Sequence, residues 1–315
     1  MKPVIAVVGG FLGAGKTTLI LAAARVLQQR GMRAAIILND QGDDLVDTCY
    51  VERLGLANAQ VTGGCFCCRF PDLVQAAGQL LATEPDVIFA EAVGSCTDIA
   101  ATTLRPLLRD HHDRFRVAPL TVLVHPARKF SDPHLDFLYQ HQLAEADLIV
   151  ERDVSVSGWL EQLLSGATPV AGRMLDIDYA RYAEAEAALA WLNARVTARA
   201  RPPLTPAMLV GPLLDRLEAR IRIVHLKLFT QCDSGYLKAA LTGNGQDPIV
   251  DGGLDASPSA RHEILVNVRA LTEPESLRDI VERELAALPV SITWRHMQCF
   301  RPAPPQPTYR SIGGI

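Results

Sequence analysis

The sequence is short of most features that would mark a specialised class. Aromatic residues are 6% of its 315 positions and the formal net charge is only −4. No strong field of one sign is present, so neither nucleic acid nor a membrane surface is expected as a partner. No run reaches the ~18 uninterrupted apolar residues of a membrane span. No internal repeat is found, and the eight histidines are scattered apart from His111-His112, with no His-rich metal tract. Cysteine is scarce too: seven in all, an odd number. That is no disulfide framework, and it fits a reducing cytoplasm. The apolar start, "VIAVVGGFLGAGKTTLILAAA", resembles a secretory leader only in hydropathy. A strand, loop and helix explain it better, so a cytoplasmic location is expected.

What is present is ordinary in bulk and specific in detail. A chain 49% hydrophobic and 21% charged can bury a large core, and its length points to two domains. "VIAVV" (4–8), "AAIIL" (34–38), "DVIFAE" (86–91), "APLTVLVH" (118–125) and "DLIVE" (147–151) read as buried strands, with "TPVAGRM" (168–174) as a candidate sixth. Helical stretches near 17–30, 71–83, 98–110 and 133–145 alternate with them, which indicates a mostly parallel sheet with helices. The Ala-rich stretch 177–199 reads as helix, and "RPPLTP" (201–206) as a break. The expected division is a nucleotide-binding domain at 1–200, a linker and helix at 201–220, a smaller α+β domain at 221–300 and a Pro-rich tail at 301–315, extended or mobile. Within the smaller domain, strand "IRIVHLKLF", a helix near 233–242, a strand "DPIVDG", strand "HEILVNVRA", a helix and strand "VSITWRHM" give β-α-β-β-α-β, the ferredoxin-like order.

"GFLGAGKTT" (10–18) satisfies the phosphate-loop pattern G-x-x-x-x-G-K-[ST] between a strand and a helix. Gly10, Gly13, Ala14, Gly15, Lys16, Thr17 and Thr18 are expected to cradle phosphates through backbone N–H groups and the helix's positive end. Lys16 would neutralise the outer phosphates and Thr17 would bind Mg²⁺. "VIFAEAVG" places Glu91 at a strand end, where a carboxylate assists Mg²⁺ or a bridging water, and Gly94 where an N–H could meet a γ-phosphate. "NDQG" (39–42) offers Asp40 to the metal or the attacking water, with Gly42 letting the loop move.

"GGCFCC" (63–68) gathers Cys65, Cys67 and Cys68 after a glycine pair. Three thiolates from one loop suit Zn²⁺, Co²⁺ or Ni²⁺ and leave one coordination position open, as a transfer site requires. Thiol redox chemistry and plain burial remain as alternatives. Cys96, two residues past Gly94, is either a fourth ligand or a buried thiol.

"GFLGAGKTT", "NDQG", "GGCFCC" and "EAVG", in this order and spacing, resemble the CobW-like GTPases, relatives of the nickel-insertion GTPases UreG and HypB. The likeness covers roughly residues 1–175. It implies a P-loop GTPase with a cysteine metal site between its switch regions, serving metal delivery or cobalamin-linked metabolism. The family's base-reading Asn-Lys-x-Asp is missing from "DLIVERDVSV"; Asp153 is the residue left to meet a guanine, and ATP stays open beside GTP. The closing "RHMQCFRPAPPQPTYR" sets the chain apart as a branch, for which a link to corrinoid-dependent methyltransferases is the expectation. The function so implied is Mg²⁺-dependent hydrolysis of GTP or ATP, with water as nucleophile and with Lys16, Asp40 and Glu91 as catalytic groups. It would time release of a metal or of a client metalloprotein or corrinoid protein. A homodimer is left open. A small-molecule kinase and an ATP-dependent client-binding module are the competing readings.

Overall fold

A computed structural model describes residues 2–125 and 128–311. The last four positions of the Pro-rich tail lie outside them. The chain divides into two compact units. One comprises residues 1–41, 47–186 and 303–315, and the other residues 42–46 and 187–302.

The first unit is built on parallel strands. β1 (Val4–Gly9), β2 (Ala34–Asn39), β3 (Ala57–Val61), β4 (Val87–Glu91), β5 (Arg116–Val117), β6 (Thr121–Val124) and β7 (Leu148–Glu151) form one sheet in the order β3-β2-β4-β1-β6-β7. β5 and β6 share one position beside β1: β5 meets Val4 and Ile5, and β6 meets Val8 and Gly9. β1 is buried at every residue, as its unbroken apolar run requires of a central strand flanked on both faces. The helices are α1 (Lys16–Gln29), α2 (Val46–Arg53), α3 (Phe70–Leu80), α4 (Arg105–Asp110, entered through a π turn at Ala100–Leu104), α5 (Pro133–Glu145), α6 (Val156–Leu164) and α7 (Tyr179–Ala187). In a parallel sheet the connections after the strands gather at one edge. Here they are the phosphate loop, "NDQG", the cysteine loop, the turn 91–98 and the loop carrying Asp153.

The second unit is an antiparallel sheet: β8 (Ala190–Leu204), β9 (Ile223–Cys232), β10 (Gly235–Leu241), β11 (Ile249–Gly252), β12 (Ser259–Ala270) and β13 (Val290–Phe300). Their order is β11-β10-β9-β12-β8-β13. With α8 (Pro206–Glu218) and α9 (Pro274–Ala286), β8-α8-β9-β12-α9-β13 is a ferredoxin-like core, extended at one edge by the β10–β11 hairpin. Ala194, Val196, Ala198 and Ala200 of β8 pack with Leu209, Leu213, Leu277 and Val281 in its core. Segment 42–46 joins this unit. Asp44 accepts from Arg195 at 2.7 Å and pairs with His296 at 2.6 Å, while Asn267 accepts from the Val46 amide.

Three local expectations fail. Helix over 177–199 stops at Ala187 and gives way to β8. Alanine favours helix locally, but the period-two series of residues 194 to 200 buries one face of a central strand, and packing overrides propensity. Residues 233–242 form β10, not a helix, and the proposed strand at 168–174 is unpaired. The polar β3, with a single buried residue in "ANAQV", carried no hydrophobic signal.

Candidate nucleotide and metal site

The phosphate loop is assembled almost wholly from neighbours in sequence. Gly10, Gly13 and Gly15 have φ of 132°, 76° and 102°, a region that side chains rarely adopt. A Cβ on Gly10 would run into the Leu123 carbonyl oxygen. Gly15 is the N-cap of α1 and no side chain caps that end, so the first amides of α1 face the loop. Lys16 Nζ donates to Gly10 O at 2.8 Å, which holds the ammonium across the loop. Thr17 Oγ1 donates to Glu91 Oε1 at 3.0 Å, and both residues are buried. The expected Mg²⁺ pair is therefore in contact, although 74 positions separate its members. A hydroxyl and a carboxylate oxygen side by side are a hard donor set suited to Mg²⁺.

Gly94 lets the turn after β4 approach this loop. A Cβ there would lie 2.8 Å from the Leu12 backbone nitrogen. Gly42, expected to give freedom of movement, is closely packed: a Cβ would collide with Asn193 and come within 3.2 Å of Phe300, both in the same unit. Asp153 is exposed on the turn after β7. Two arginines beside the phosphate loop were not legible in the sequence. The Arg152 side chain lies 3.9 Å from where a Gly15 Cβ would sit. Arg128 donates to Leu12 O and stands over the rings of Phe11 and Phe130, and its burial lowers its pKa to about 10.

The cysteine loop is built differently. Cys65 and Cys67 are buried and Cys68 is partly exposed. Their three sulfurs lie within 4.8 Å of one another, with Cys65–Cys68 at 3.7 Å and Cys67–Cys68 at 3.6 Å. Asn39, the first residue of "NDQG", donates to Val61 O at 3.0 Å and Gly64 O at 2.7 Å, so the end of β2 carries the start of the cysteine loop. The chain's last described segment, which forms neither helix nor strand, runs against the cysteine loop on the other side. Gln306 N–H points at Cys68 Sγ at 3.2 Å, Thr308 donates to Cys67 O and Cys68 O, and Arg310 pairs with Asp98 at 2.7 Å.

Thiol protons are held tightly here. Contact with Cys65 and then burial push Cys68 up to about 11, and bonds to Cys65 and Cys68 raise Cys67 well above the ordinary thiol value. Cys96 is the exception: bonds from Cys65 first and Cys67 second draw it down to about 7. Against residues 95–100 lie two buried carboxylates with no sequence signal. Glu145 accepts from Thr97 Oγ1 and the Ala100 amide, and Glu186 accepts from Ser95 Oγ. Burial raises both to about 8.

Residues 4–153 match the family description CobW/HypB/UreG, nucleotide-binding domain. This part of the chain is a nucleotide-binding domain of the CobW/HypB/UreG family. Among solved structures, the chain is similar to the Zn(II)-bound YjiA GTPase from E. coli, at 15% identity over 90% of this chain and 99% of that one, with a TM-score of 0.30. It is also similar to HypB from Helicobacter pylori in complex with nickel, at 17% identity over 51% and 74%, with a TM-score of 0.33.

Proposed function

We propose that the protein is a metal-carrying nucleoside-triphosphate hydrolase whose cysteine site responds to the nucleotide. The observation that carries this is the Asn39 amide on Gly64 O. β2, which ends at Asn39, is paired with β4, Leu38 opposite Glu91, so a movement that follows the γ-phosphate there is passed to the loop of Cys65, Cys67 and Cys68. GTP is the nucleotide inherited with the CobW/HypB/UreG domain. ATP is retained, because Asp153 stands without the Asn-Lys that usually accompanies it.

In this reading the amides of residues 13–18 hold the phosphates and Lys16 neutralises them. Thr17 and Glu91 hold Mg²⁺, which supplies charge neutralisation when bound. Glu91 or Asp40 orients the attacking water. The γ-phosphoryl–oxygen bond to the leaving diphosphate breaks as the bond to water forms, and the water's protons pass to solvent and phosphate. The three thiols take Zn²⁺, Co²⁺ or Ni²⁺; the sulfur spacings fit, because a tetrahedral site with Zn–S of about 2.3 Å has S–S edges of ~3.8 Å. Release of the metal, or of a metalloprotein client, follows hydrolysis through different contacts in the two states. A corrinoid protein is one such client.

The test is one equivalent of Zn²⁺ bound to the full chain, absent in a Cys65/Cys67/Cys68→Ala triple variant, with an affinity that changes with a non-hydrolysable triphosphate. Label from a γ-labelled nucleotide appearing on a metabolite rather than as phosphate would favour a kinase instead.

A further inference from the structure

The way to the three sulfurs passes Cys68. Cys65 and Cys67 are buried, and Cys68 alone of the three is partly exposed. Residues 306–311 lie across that side. The Gln306 amide donates to Cys68 Sγ at 3.2 Å, the Thr308 amide to Cys67 O at 2.9 Å and Thr308 Oγ1 to Cys68 O at 3.0 Å. Tyr309 meets Phe70, at the start of α3, edge to face with ring centroids 5.7 Å apart. The Ser311 amide donates to Ala101 O at 3.0 Å.

This segment has no helix or strand of its own to hold it. Its position rests on those contacts and on one ion pair. Arg310 Nε donates to Asp98 Oδ2 at 2.7 Å, and its Nη2 donates to Leu175 O at 2.8 Å. The Asp98 side chain is 1% exposed, and the Tyr179 hydroxyl also donates to it at 2.6 Å. A buried carboxylate is costly without a counter-charge, so Asp98 favours the docked segment over the free one. The contacts from Gln306 and Thr308 lie at the surface, where water replaces a lost partner at small net cost. Arg310 is therefore the residue whose loss shifts the balance most.

Asp98 also decides what the segment is fastened to. It closes the turn 91–98, whose Gly94 is pressed against the phosphate-loop backbone at Leu12. Gln142 Nε2 donates to both Gly94 O and Cys96 O at 3.0 Å, so this turn is braced from Gly94 to Cys96.

We propose that residues 306–311 are a strap that gates the cysteine site, latched by Arg310 on Asp98, and that metal enters and leaves when the latch opens. The strap covers the sulfurs without supplying a ligand, since a backbone N–H donates to a thiolate but cannot bind a cation. Docked, it slows exchange and leaves in place the sulfurs that set affinity. Resting on the proposed function, the latch adds a route by which nucleotide acts on rate: a turn displaced at Gly94 carries Asp98 away from Arg310.

The experiment is stopped-flow zinc capture, and zinc transfer to a chromophoric chelator, with the full chain, Arg310→Ala, Asp98→Asn and a chain ending at Pro302. Capture and release should both quicken by roughly 10–100-fold in Arg310→Ala, the scale of one lost hydrogen bond to a charged group, while equilibrium affinity stays within a few-fold. A synthetic peptide of residues 303–311 should slow exchange in the shortened chain again, and the same peptide carrying Arg310→Ala should not. Rates unchanged in Arg310→Ala and in the shortened chain would overturn the gate. Faster release with unaltered capture would overturn it too, because that marks a lost support of bound metal and not a lifted cover. Alkylation of Cys68 in the metal-free chain reads the same gate without zinc: quicker in Arg310→Ala and Asp98→Asn if the gate stands, unchanged if it does not. A chain that takes up no zinc thus sinks the proposed function, and the labelling rate still decides the strap.

Discussion

The phosphate loop and the cysteine loop sit at the same sheet edge but are made in opposite ways. The first is mostly local: nine consecutive residues and three glycines at positive φ, with Thr17 on Glu91 and Arg128 on Leu12 O among its contacts from farther along the chain. The second owes its shape to Asn39 from β2 and to residues 306–308 near the far end of the chain. A local site tolerates change elsewhere and fails abruptly when its own residues change. An assembled site can be tuned from several directions, which the proposed holding and release of a metal requires.

That contrast can be broken deliberately. The largest effect is expected from Lys16→Ala, which removes the cation at the phosphates. Hydrolysis should fall by ~100-fold or more, while zinc binding to the nucleotide-free chain stays within a few-fold. Turnover assays paired with zinc titrations check it. Asn39→Ala is the converse. Two buried carbonyls lose their donor at a cost of about 1–3 kcal/mol, zinc affinity should drop ~10–100-fold, and phosphate binding should change much less. Equal losses at both sites would erase the distinction between them.

Removal of residues 303–315 takes away the Gln306 and Thr308 contacts. Alkylation of Cys68 in the metal-free chain should quicken several-fold, with nucleotide affinity unchanged. Thiol mass labelling reads this directly, and an unaltered rate would deny the tail its covering role. Zinc capture should also tighten as pH rises toward the Cys68 value of about 11, because binding displaces thiol protons.

The smallest effect concerns stability. Glu145 and Glu186 have folded pKa values of about 8, above the ordinary 4.5. Their protonated forms favour the fold, so their contribution is complete below about 4.5 and is lost as pH climbs through about 8. Metal-free wild type should thus melt higher at pH 6 than at pH 8.5, and Glu145→Gln should flatten that slope. A slope unchanged in Glu145→Gln and in Glu186→Gln would remove both carboxylates from the account.

Legibility in the sequence followed the same division. "GFLGAGKTT", Glu91 and Gly94 could be read because their chemistry is written in adjacent residues. The cysteine trio could be read, but its supports could not: Asn39 looked like part of a turn, and Gln306 and Thr308 like a loose tail. The parallel sheet followed from its apolar runs, except β3, whose exposed polar residues give no period. β8 was hidden because "ALAWLNARVTARA" satisfies helix propensity while its alternate positions satisfy a strand, and only the facing α8 and α9 decide between them. Glu145 and Glu186 look like ordinary helix-surface acids until the fold buries them.

The central claim is that phosphate state reaches the sulfurs. It is tested most directly by zinc affinity of the full chain, measured by competition with a chelator, in the diphosphate and in the non-hydrolysable triphosphate complex. The account predicts a difference within the ~5–150-fold range of ordinary site-to-site coupling, abolished in Asn39→Ala. Identical affinities in the two complexes, with both sites demonstrably filled, would contradict it.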